Sequence, residues 1–244
     1  MQIHNTKAVV LRTVKYGETS IIATMYTELF GVQSYIVKGV RKTNKKGGQV
    51  SYYQPGALLR LQVYHNTLKH LQFIKEAQWD YLFTDIFFDV TKNAVAMYIV
   101  ELLQHVLKQP EANPDLFYAI EEALTQLDKN NIAFAANLPL YFTLRLCAEL
   151  GFQIQGTYTA ATPFLDLHEG VFVADEPLGL NSIGGELAAA TAKLAAIHFY
   201  SELENIKLNQ SLRRMLMQAY QLYMKHHISG FGEIKSLKIL HEIF

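Results

Sequence analysis

The side chains with the clearest chemical potential in this sequence are seven cations between residues 12 and 46. Five of them fall within residues 38–46, and the glycine-ended stretch 41–48 has no large apolar residue to anchor it. Mobile lysine and arginine side chains neutralise phosphate oxygens and release bound counterions. The cluster therefore predicts contacts with a nucleic-acid backbone. Its members are Arg12, Lys15, Lys38, Arg41, Lys42, Lys45 and Lys46.

Charge is distributed unevenly along the chain. Its 22 Lys and Arg balance its 22 Asp and Glu, so the formal net charge is zero. Residues 1–80 nevertheless carry 11 cations and four anions, a net of +7, whereas residues 81–244 carry 11 cations and 18 anions, a net of −7. Such asymmetry is typical of a chain in which one half binds nucleic acid.

Four tyrosines near these cations are candidate stacking platforms for bases. Aromatic rings in single-strand-binding barrels contribute about 1–3 kcal/mol for each stacked base. The alternative is that these rings pack in a barrel core and that the cationic stretch is only a solvated loop. The four candidates are Tyr16, Tyr35, Tyr52 and Tyr53.

A second set of cations lies in the later part of the chain. Arg213 and Arg214 fall near the predicted start of a helix, where a positive charge opposes the helix dipole and brings no structural benefit. They indicate a second contact with DNA or with an acidic partner, and the alternative is exposed arginines with acidic neighbours. The full set is Arg145, Arg213, Arg214, Lys235 and Lys238.

The sequence holds neither a catalytic nor a metal-ligating pattern. Its nine histidines show no HxxxH or HExxH spacing, and the phosphate-binding and nucleophile motifs of common enzymes are missing. Cys147, the only cysteine, falls in an apolar helical stretch, which predicts a buried and inert thiol. We therefore expect a protein that is not an enzyme and that needs no metal, cofactor or small-molecule substrate.

Five short strands are predicted to position the first cluster of cations. Leu71 and Phe73 continue an apolar alternation, and Ile74 interrupts it, which predicts a β-bulge. Five strands in about 80 residues favour a closed OB-fold barrel over residues 1–80, with 41–48 as an exposed loop. The predicted strands lie around residues 8–11, 21–26, 33–37, 59–63 and 71–74.

From about residue 82 the apolar period becomes helical, which predicts a mainly α-helical domain over residues 81–244. Asn113-Pro114 and the pair Asn137 and Pro139 resemble helix starts, and Gly151 ends the second of these helices. Residues 152–183 lose the period and are predicted as an irregular insert with one hairpin. The fold class is thus α+β with more than one domain. Further helices are expected from 186 to about 200, at 212–223 and at 234–244.

The order and spacing of several segments resemble the RecO family over nearly the whole chain. No single motif is diagnostic. In the barrel part the matching segments are 8–13, Tyr16-Gly17-Glu18, 35–42, Gln54-Pro55 and 58–64. In the helical part they are 98–103, Leu116-Phe117, 144–152, 212–214, Lys235-Ser236 and Leu237.

This resemblance implies a recombination mediator in DNA repair. Such a protein would bind single- and double-stranded DNA, anneal complementary strands and load recombinase onto DNA coated with single-strand-binding protein. The implied partners are RecR and the C-terminal tail of the single-strand-binding protein. We expect a cytoplasmic, nucleoid-associated protein, since the chain shows neither a signal peptide nor an apolar stretch long enough for a membrane.

Two other functions stay open at this point. The chain could be an OB-fold RNA-binding adaptor, because charge and fold class do not separate DNA from RNA. It could also be a protein-interaction adaptor without annealing activity, in which the acidic helical part does the binding.

One departure from the family concerns zinc. Many members carry a four-cysteine zinc site just after the Leu150-Gly151 step, whereas residues 152–183 contain no cysteine and one histidine, His168. A structural zinc site needs about four nitrogen or sulfur ligands. We therefore predict a zinc-less variant whose insert is held by apolar packing around Phe164 and residues 171–173.

Overall fold

The computed structural model describes residues 2–41, 49–179 and 181–244 of the chain. The cations Lys42, Lys45 and Lys46 of the predicted basic loop lie outside these described residues. Contacts between residues divide the chain into two compact units. The barrel unit joins Met1–Phe87 to Val100–Thr125, and the helical unit joins Phe88–Ile99 to Gln126–Phe244.

Five strands of the barrel unit form a closed barrel in the order β1-β2-β3-β5-β4. The neighbours β3 and β5 are parallel, and the other pairs are antiparallel. This confirms the predicted five-stranded OB-type barrel. The strands are β1 Ile3–Tyr16, β2 Ser20–Thr27, β3 Gly31–Val37, β4 Leu58–Tyr64 and β5 Leu71–Tyr81, and a 3-10 helix covers Gln49–Tyr53.

Three register shifts shape the barrel, two between β4 and β5 and one between β1 and β2. In β5 the register shifts so that Val63 pairs with Ile74 and Gln62 with Glu76, which confirms the predicted interruption at Ile74. In β1 the register shifts between Val10 and Arg12. The extra residue reverses the alternation of faces, because side chains along a strand alternate with a period of two. Arg12 therefore points outward although it lies two residues beyond an inward valine.

The described residues of the chain also include six α-helices and a second short 3-10 helix. The division into units falls within α1 and within α2. None of the helices in the described residues is both long and apolar enough to cross a membrane. The helices are α1 Val90–Val106, α2 Pro114–Lys129, α3 Ile132–Glu149, α4 Gly185–Ala195, α5 Gln210–His227 and α6 Ser236–Ile243, and the 3-10 helix is Tyr200–Asn205.

The helix α3 begins at Ile132, so the predicted start at Asn137 was wrong. Asn131 caps the helix, because its side chain accepts a backbone N–H of the first turn at 3.0 Å. Asn137 is instead buried, and its amide donates to two backbone carbonyls of the segment 203–206 at 2.9 and 2.8 Å. The Asn-x-Pro pattern thus marks a buried polar anchor, and Pro139 is accommodated inside the helix.

The insert after α3 forms a small three-stranded sheet in the order β7-β6-β8. The predicted hairpin is the pair β6 Phe164–Asp166 and β7 Val171–Val173, and β8 Ser182–Gly184 adds a strand to a stretch predicted as irregular. Leu165 and Phe172 are buried, in agreement with an insert held by apolar packing. Across residues 2–41, 49–179 and 181–244, no group of three His, Cys, Asp or Glu is placed to hold a metal ion.

Cys147 lies in the interior of the helical unit. It is fully buried in α3, and burial raises the pKa of its thiol far above the ordinary value. Because the thiolate is the reactive form, this confirms the predicted buried thiol and makes it a poor nucleophile.

Candidate nucleic-acid interface

One outer surface of the barrel carries a partly exposed apolar row that crosses four strands. The register of β1, β2, β3 and β5 aligns Val14, Ile22, Ile36 and Phe73 side by side. Val14 and Phe73, at its two ends, are 38% and 36% exposed. Because neighbouring strands are about 4.8 Å apart, the row extends over roughly 14 Å. Its length and its apolar surface suit contacts with more than one base.

A polar row runs beside the apolar one. It consists of the polar residues Arg12, Thr24 and Ser34 and ends at the apolar Leu71, in register on the same four strands. The hydroxyls of Thr24 and Ser34 are 3.3 Å apart, so their side chains project from the same face. We call the two rows, together with Tyr16 and Lys38, the open face.

Cations stand at the edges of the open face. The Lys38 ammonium lies 5.4 Å from the centroid of the Phe73 ring, and Arg12 is exposed in the polar row. Arg41 anchors the chain after β3, because its backbone N–H and its guanidinium donate to the carbonyls of Thr19 and Gly17 at 3.1 and 3.3 Å. Within the part of the chain that the structure describes, none of these three cations forms an ion pair. Their charge is therefore not neutralised by a neighbouring carboxylate.

Lys15 lies apart from this arrangement. It pairs across the strands with Ile21, whose side chain belongs to the barrel core. By the alternation of β1, Lys15 therefore projects from the opposite side to Val14 and Tyr16. The structure thus places Arg12 and Lys38 at opposite ends of the open face, holds Arg41 against the turn from β1 to β2, and leaves Lys15 at the barrel end.

The four tyrosine candidates differ in how far their rings are exposed to solvent. Tyr35 and Tyr53 are buried in the barrel core, where burial raises the pKa of Tyr53 to about 12, so their assignment as stacking platforms was wrong. Tyr52 is half-buried and stacks on Trp79 at a centroid distance of 5.0 Å. Only Tyr16, which is 49% exposed, joins the open face.

Sequence reasoning missed Phe73 because the alternation of β5 indicated the wrong side. Leu71 and Phe73 face outward, and the polar Gln72 between them is buried. Gln72 is satisfied there, because its amide donates to the carbonyls of Asn66 and Lys69 at 2.8 and 2.5 Å and its oxygen accepts the Asn66 N–H at 2.9 Å. No sequence pattern distinguishes a buried glutamine that bonds to the adjacent hairpin loop from an exposed one, so the outward position of Phe73 could not be predicted.

The opposite outer surface of the same barrel is covered by residues 104–121. Lys7 lies 3.1 Å from Asp80 and 2.8 Å from Glu121, and Gln104 donates to the Leu11 carbonyl at 2.7 Å. The hydroxyl of Tyr26 donates to a backbone carbonyl at Asn113, 3.1 Å away. We call this surface, built on Lys7, Leu11, Tyr26, Arg60 and Asp80, the covered face.

Burial and shared hydrogen bonds together shift the pKa values of Lys7, Asp80 and Glu121 on the covered face. Burial would raise the pKa of Asp80, but hydrogen bonds from Lys7 and Arg60 hold it below its usual value. Burial raises the pKa of Glu121, against the lowering effect of Lys7. Burial would lower the pKa of Lys7, yet its two carboxylate partners raise it. The two cations of this face, Lys7 and Arg60, are therefore both paired with carboxylates of the protein.

The second set of predicted cations lies in the helical unit, and several of its members have protein partners. Arg145 pairs with Glu149 at 2.9 Å, Lys238 pairs with Glu233 at 3.2 Å, and Lys235 precedes α6. The half-buried Arg213 donates to the side-chain oxygen of Asn137 at 3.2 Å, and burial lowers the pKa of Arg213. Arg214 donates to the backbone carbonyl of His241.

A small apolar pocket lies beside two of these arginines. Arg213 and Arg214 contribute its cationic side, and Arg145 is not among the residues that line it. The remaining lining comes from α3, α5 and the last turn of the chain. These residues are Ala136, Pro139, Leu140, Met217, Leu240, His241 and Phe244.

The strand order and the open face define an OB-fold-type protein with an attached helical unit. The family model described as Recombination protein O N terminal matches residues 1–83, and the model described as Recombination protein O C terminal matches residues 87–238. The chain therefore belongs to the RecO family of DNA repair proteins.

Relatives named DNA repair protein RecO align along the full chain. The protein of Christiangramia forsetii is 31% identical over 244 residues, and that of Flavobacterium psychrophilum is 30% identical over 244 residues, with 100% of each chain covered. The protein of Bacteroides fragilis is 29% identical over 243 residues and covers 99% of both chains. The similarity thus includes both the barrel and the helical unit.

Proposed function

We propose that this chain is a non-catalytic recombination mediator that binds single-stranded DNA on the open face of its barrel. The observation that carries the proposal is the apolar row from Val14 to Phe73, with Lys38 above the Phe73 ring and Arg12 beside the opposite end of the row. Residues 1–80 would form the nucleic-acid-binding domain and residues 81–244 the helical domain. Membership of the RecO family supports this choice of substrate.

On the open face, one kind of side chain would contact the bases and another would contact the phosphates. Apolar and aromatic groups give contacts that every base can make, since each base has a π-face. Lysine and arginine neutralise phosphates without reading sequence. Lys15 and the loop cations Lys42, Lys45 and Lys46 would extend the positive surface. The binding is therefore expected to be independent of sequence and strongly salt-dependent.

Annealing would follow from this mode of binding. A strand held by its backbone and by base faces keeps part of each base's pairing edge accessible to a complementary strand. We propose that the protein anneals complementary strands, also binds double-stranded DNA, and cooperates with RecR in loading recombinase. The family similarity supports these partner assignments.

The pocket beside Arg213 and Arg214 has the lining for a second part of this function, and its space of about 20 Å³ must widen to admit a ring. An acidic peptide that ends in phenylalanine, such as the tail of single-strand-binding protein, needs an apolar pocket for the ring and cations for the carboxylates. We propose that the tail docks here. A labelled tail peptide should bind wild-type protein and the Arg145→Ala variant alike, and should bind Arg214→Ala several-fold more weakly. Equal binding by all three proteins would remove this assignment.

The main test is strand annealing with oligonucleotides precoated with single-strand-binding protein. Wild-type protein should accelerate annealing, and a Lys38→Ala/Phe73→Ala variant should lose most of that acceleration. A competition between single-stranded DNA and RNA of the same sequence separates the mediator from an RNA-binding adaptor. Preference for RNA, or binding to neither at low salt, would contradict the proposal.

A further inference from the structure

The barrel unit contains a cavity of about 530 Å³ beside the open face. It lies between the turn from β2 to β3, the loop from β4 to β5, and the segment around Pro110 and Ala112. Ser34 lines this cavity and also belongs to the polar row of the open face. The cavity and the proposed DNA surface therefore share the side chain of Ser34 and adjoin each other there.

The walls of the cavity are held in place by specific contacts. The buried Gln72 fixes the loop Asn66–Lys69 through three hydrogen bonds, and the Asn66 side chain accepts the Leu68 N–H at 2.9 Å. The third wall approaches the turn at Gly31, whose φ of +60° and lack of Cβ allow the backbone of Glu111 to come close. The cavity is thus preformed, which reduces the entropic cost of binding.

An aromatic pair lines one side of the cavity. The rings of Phe30 and His65 stack with a centroid distance of 3.9 Å and an interplanar angle of 10°. Burial, with a smaller contribution from nearby His4, lowers the pKa of His65, so this ring stays neutral near pH 7. The pair therefore offers a flat, uncharged surface.

The charged groups of the cavity are all potential cations. Lys69 and His70 are exposed at its edge, and among the described residues that line it there is no Asp or Glu. Gln33, Asn66 and Thr67 add amide and hydroxyl groups. A volume in the range of small-molecule sites, a planar wall and an unopposed cation suit a ligand with a flat heterocycle and a phosphate.

We propose, on the basis of the DNA-binding function above, that this cavity holds one nucleotide of a strand whose neighbouring nucleotides lie on the open face. The base enters between the loop and the Phe30–His65 pair. Lys69 and His70 hold its phosphate. The single strand thus runs along the apolar row from Val14 to Phe73, passes Lys38 and Ser34, and ends in the cavity.

The experiment measures affinity against length, with labelled oligothymidylates from about 4 to about 16 nucleotides, the range of OB-fold site sizes. The variant is Lys69→Ala/His70→Ala, and the matched control is His198→Ala/Lys207→Ala, which removes one exposed lysine and one exposed histidine from the helical unit. The shortest oligonucleotides should bind the variant as they bind wild type. Longer ones should bind it about 3- to 10-fold more weakly, with a salt slope smaller by about 0.7.

A second variant, Thr67→Trp, fills the cavity from an exposed loop position without changing charge. It should show the same length-dependent loss. If both cavity variants bind every length like wild type while Phe73→Ala weakens all lengths, the nucleotide cavity is overturned and the proposed function stands. If Phe73→Ala and the cavity variants all bind like wild type, the proposed function itself fails.

Discussion

The covered and open faces of the barrel share the strands β1, β2 and β5 and differ in how their cations are used. On the covered face, Lys7 is engaged by Asp80 and Glu121. On the open face, Arg12 and Lys38 have no ion-pair partner among the described residues, and Lys38 lies above an exposed ring. The lesson is that the number of cations on a barrel does not identify its ligand face. The distinguishing property is whether the protein already neutralises them.

The largest expected effect comes from the free cations of the open face. Arg12→Ala/Lys38→Ala should weaken single-stranded DNA binding by about tenfold to a hundredfold at low salt and reduce the salt slope by about 1.4, because two phosphate contacts are lost. The control Lys193→Ala/Lys207→Ala removes two exposed lysines of the helical unit and should bind like wild type. Fluorescence anisotropy at several salt concentrations measures both quantities. If the control lost as much affinity as Arg12→Ala/Lys38→Ala, the loss would reflect only the lower net charge of the protein, and the open face would not be the binding site.

The next effect comes from the ring beneath Lys38. Phe73→Ala should cost about 1–2 kcal/mol of binding free energy, at the lower end of the range for stacked bases because Lys38 covers part of the ring. The salt slope should stay unchanged, since no charge is removed. The control is Phe199→Ala, which truncates an exposed ring of the helical unit. A wild-type affinity for Phe73→Ala would show that the apolar row does not contact bases.

The covered face should respond in the opposite way. Lys7→Ala leaves Asp80 and Glu121 without their shared cation and should lower the free energy of unfolding by about 1–2 kcal/mol. Thermal denaturation measures this loss, whereas the affinity of the folded protein for single-stranded DNA should not change. If Lys7→Ala kept the wild-type free energy of unfolding but bound DNA weakly, Lys7 would belong to the DNA interface. The two faces would then not differ as described.

The smallest effect is a pH dependence that belongs to the covered face. The pKa of Asp80 lies below its ordinary value of 3.8, so the unfolded chain binds this proton more tightly than the folded one. Asp80 therefore stabilises the fold above about pH 4, and this stabilisation is lost as the pH falls through the lowered pKa. Asp80→Asn should flatten this acid limb in denaturation curves measured at several pH values. An acid limb identical to that of wild type would contradict the assigned hydrogen bonds.

The barrel could be predicted from the sequence because five short apolar stretches with turn residues between them leave few other folds. The bulge at Ile74 was visible for the same reason, since it interrupts a period of two. The open face could not be predicted, because it depends on register. The bulge in β1 turns Arg12 outward, and the buried Gln72 turns Phe73 outward, and neither follows from local alternation.

The error at Asn137 has a related cause. The local propensity of asparagine favours helix caps and surface positions, whereas Asn137 satisfies backbone groups of a segment about 70 residues away in sequence. Tyr35 and Tyr53 were candidates because they lie near cations in sequence, whereas β3 directs Tyr35 into the core and the 3-10 helix Gln49–Tyr53 directs Tyr53 there. Whether such a side chain is buried depends on contacts with residues far away in sequence, and a single sequence does not reveal those contacts.

The most direct test of the two-face account is a methyl NMR titration of the whole protein with a short oligothymidylate. Val14, Ile22 and Ile36 report on the open face, and Val9 and Leu11 report on buried positions of β1 towards the covered side. If DNA binds the open face, the methyl signals of Val14, Ile22 and Ile36 shift progressively and saturate with the DNA, while those of Val9 and Leu11 stay in place. Shifts confined to Val9 and Leu11, with Val14, Ile22 and Ile36 unaffected, would contradict binding at the open face.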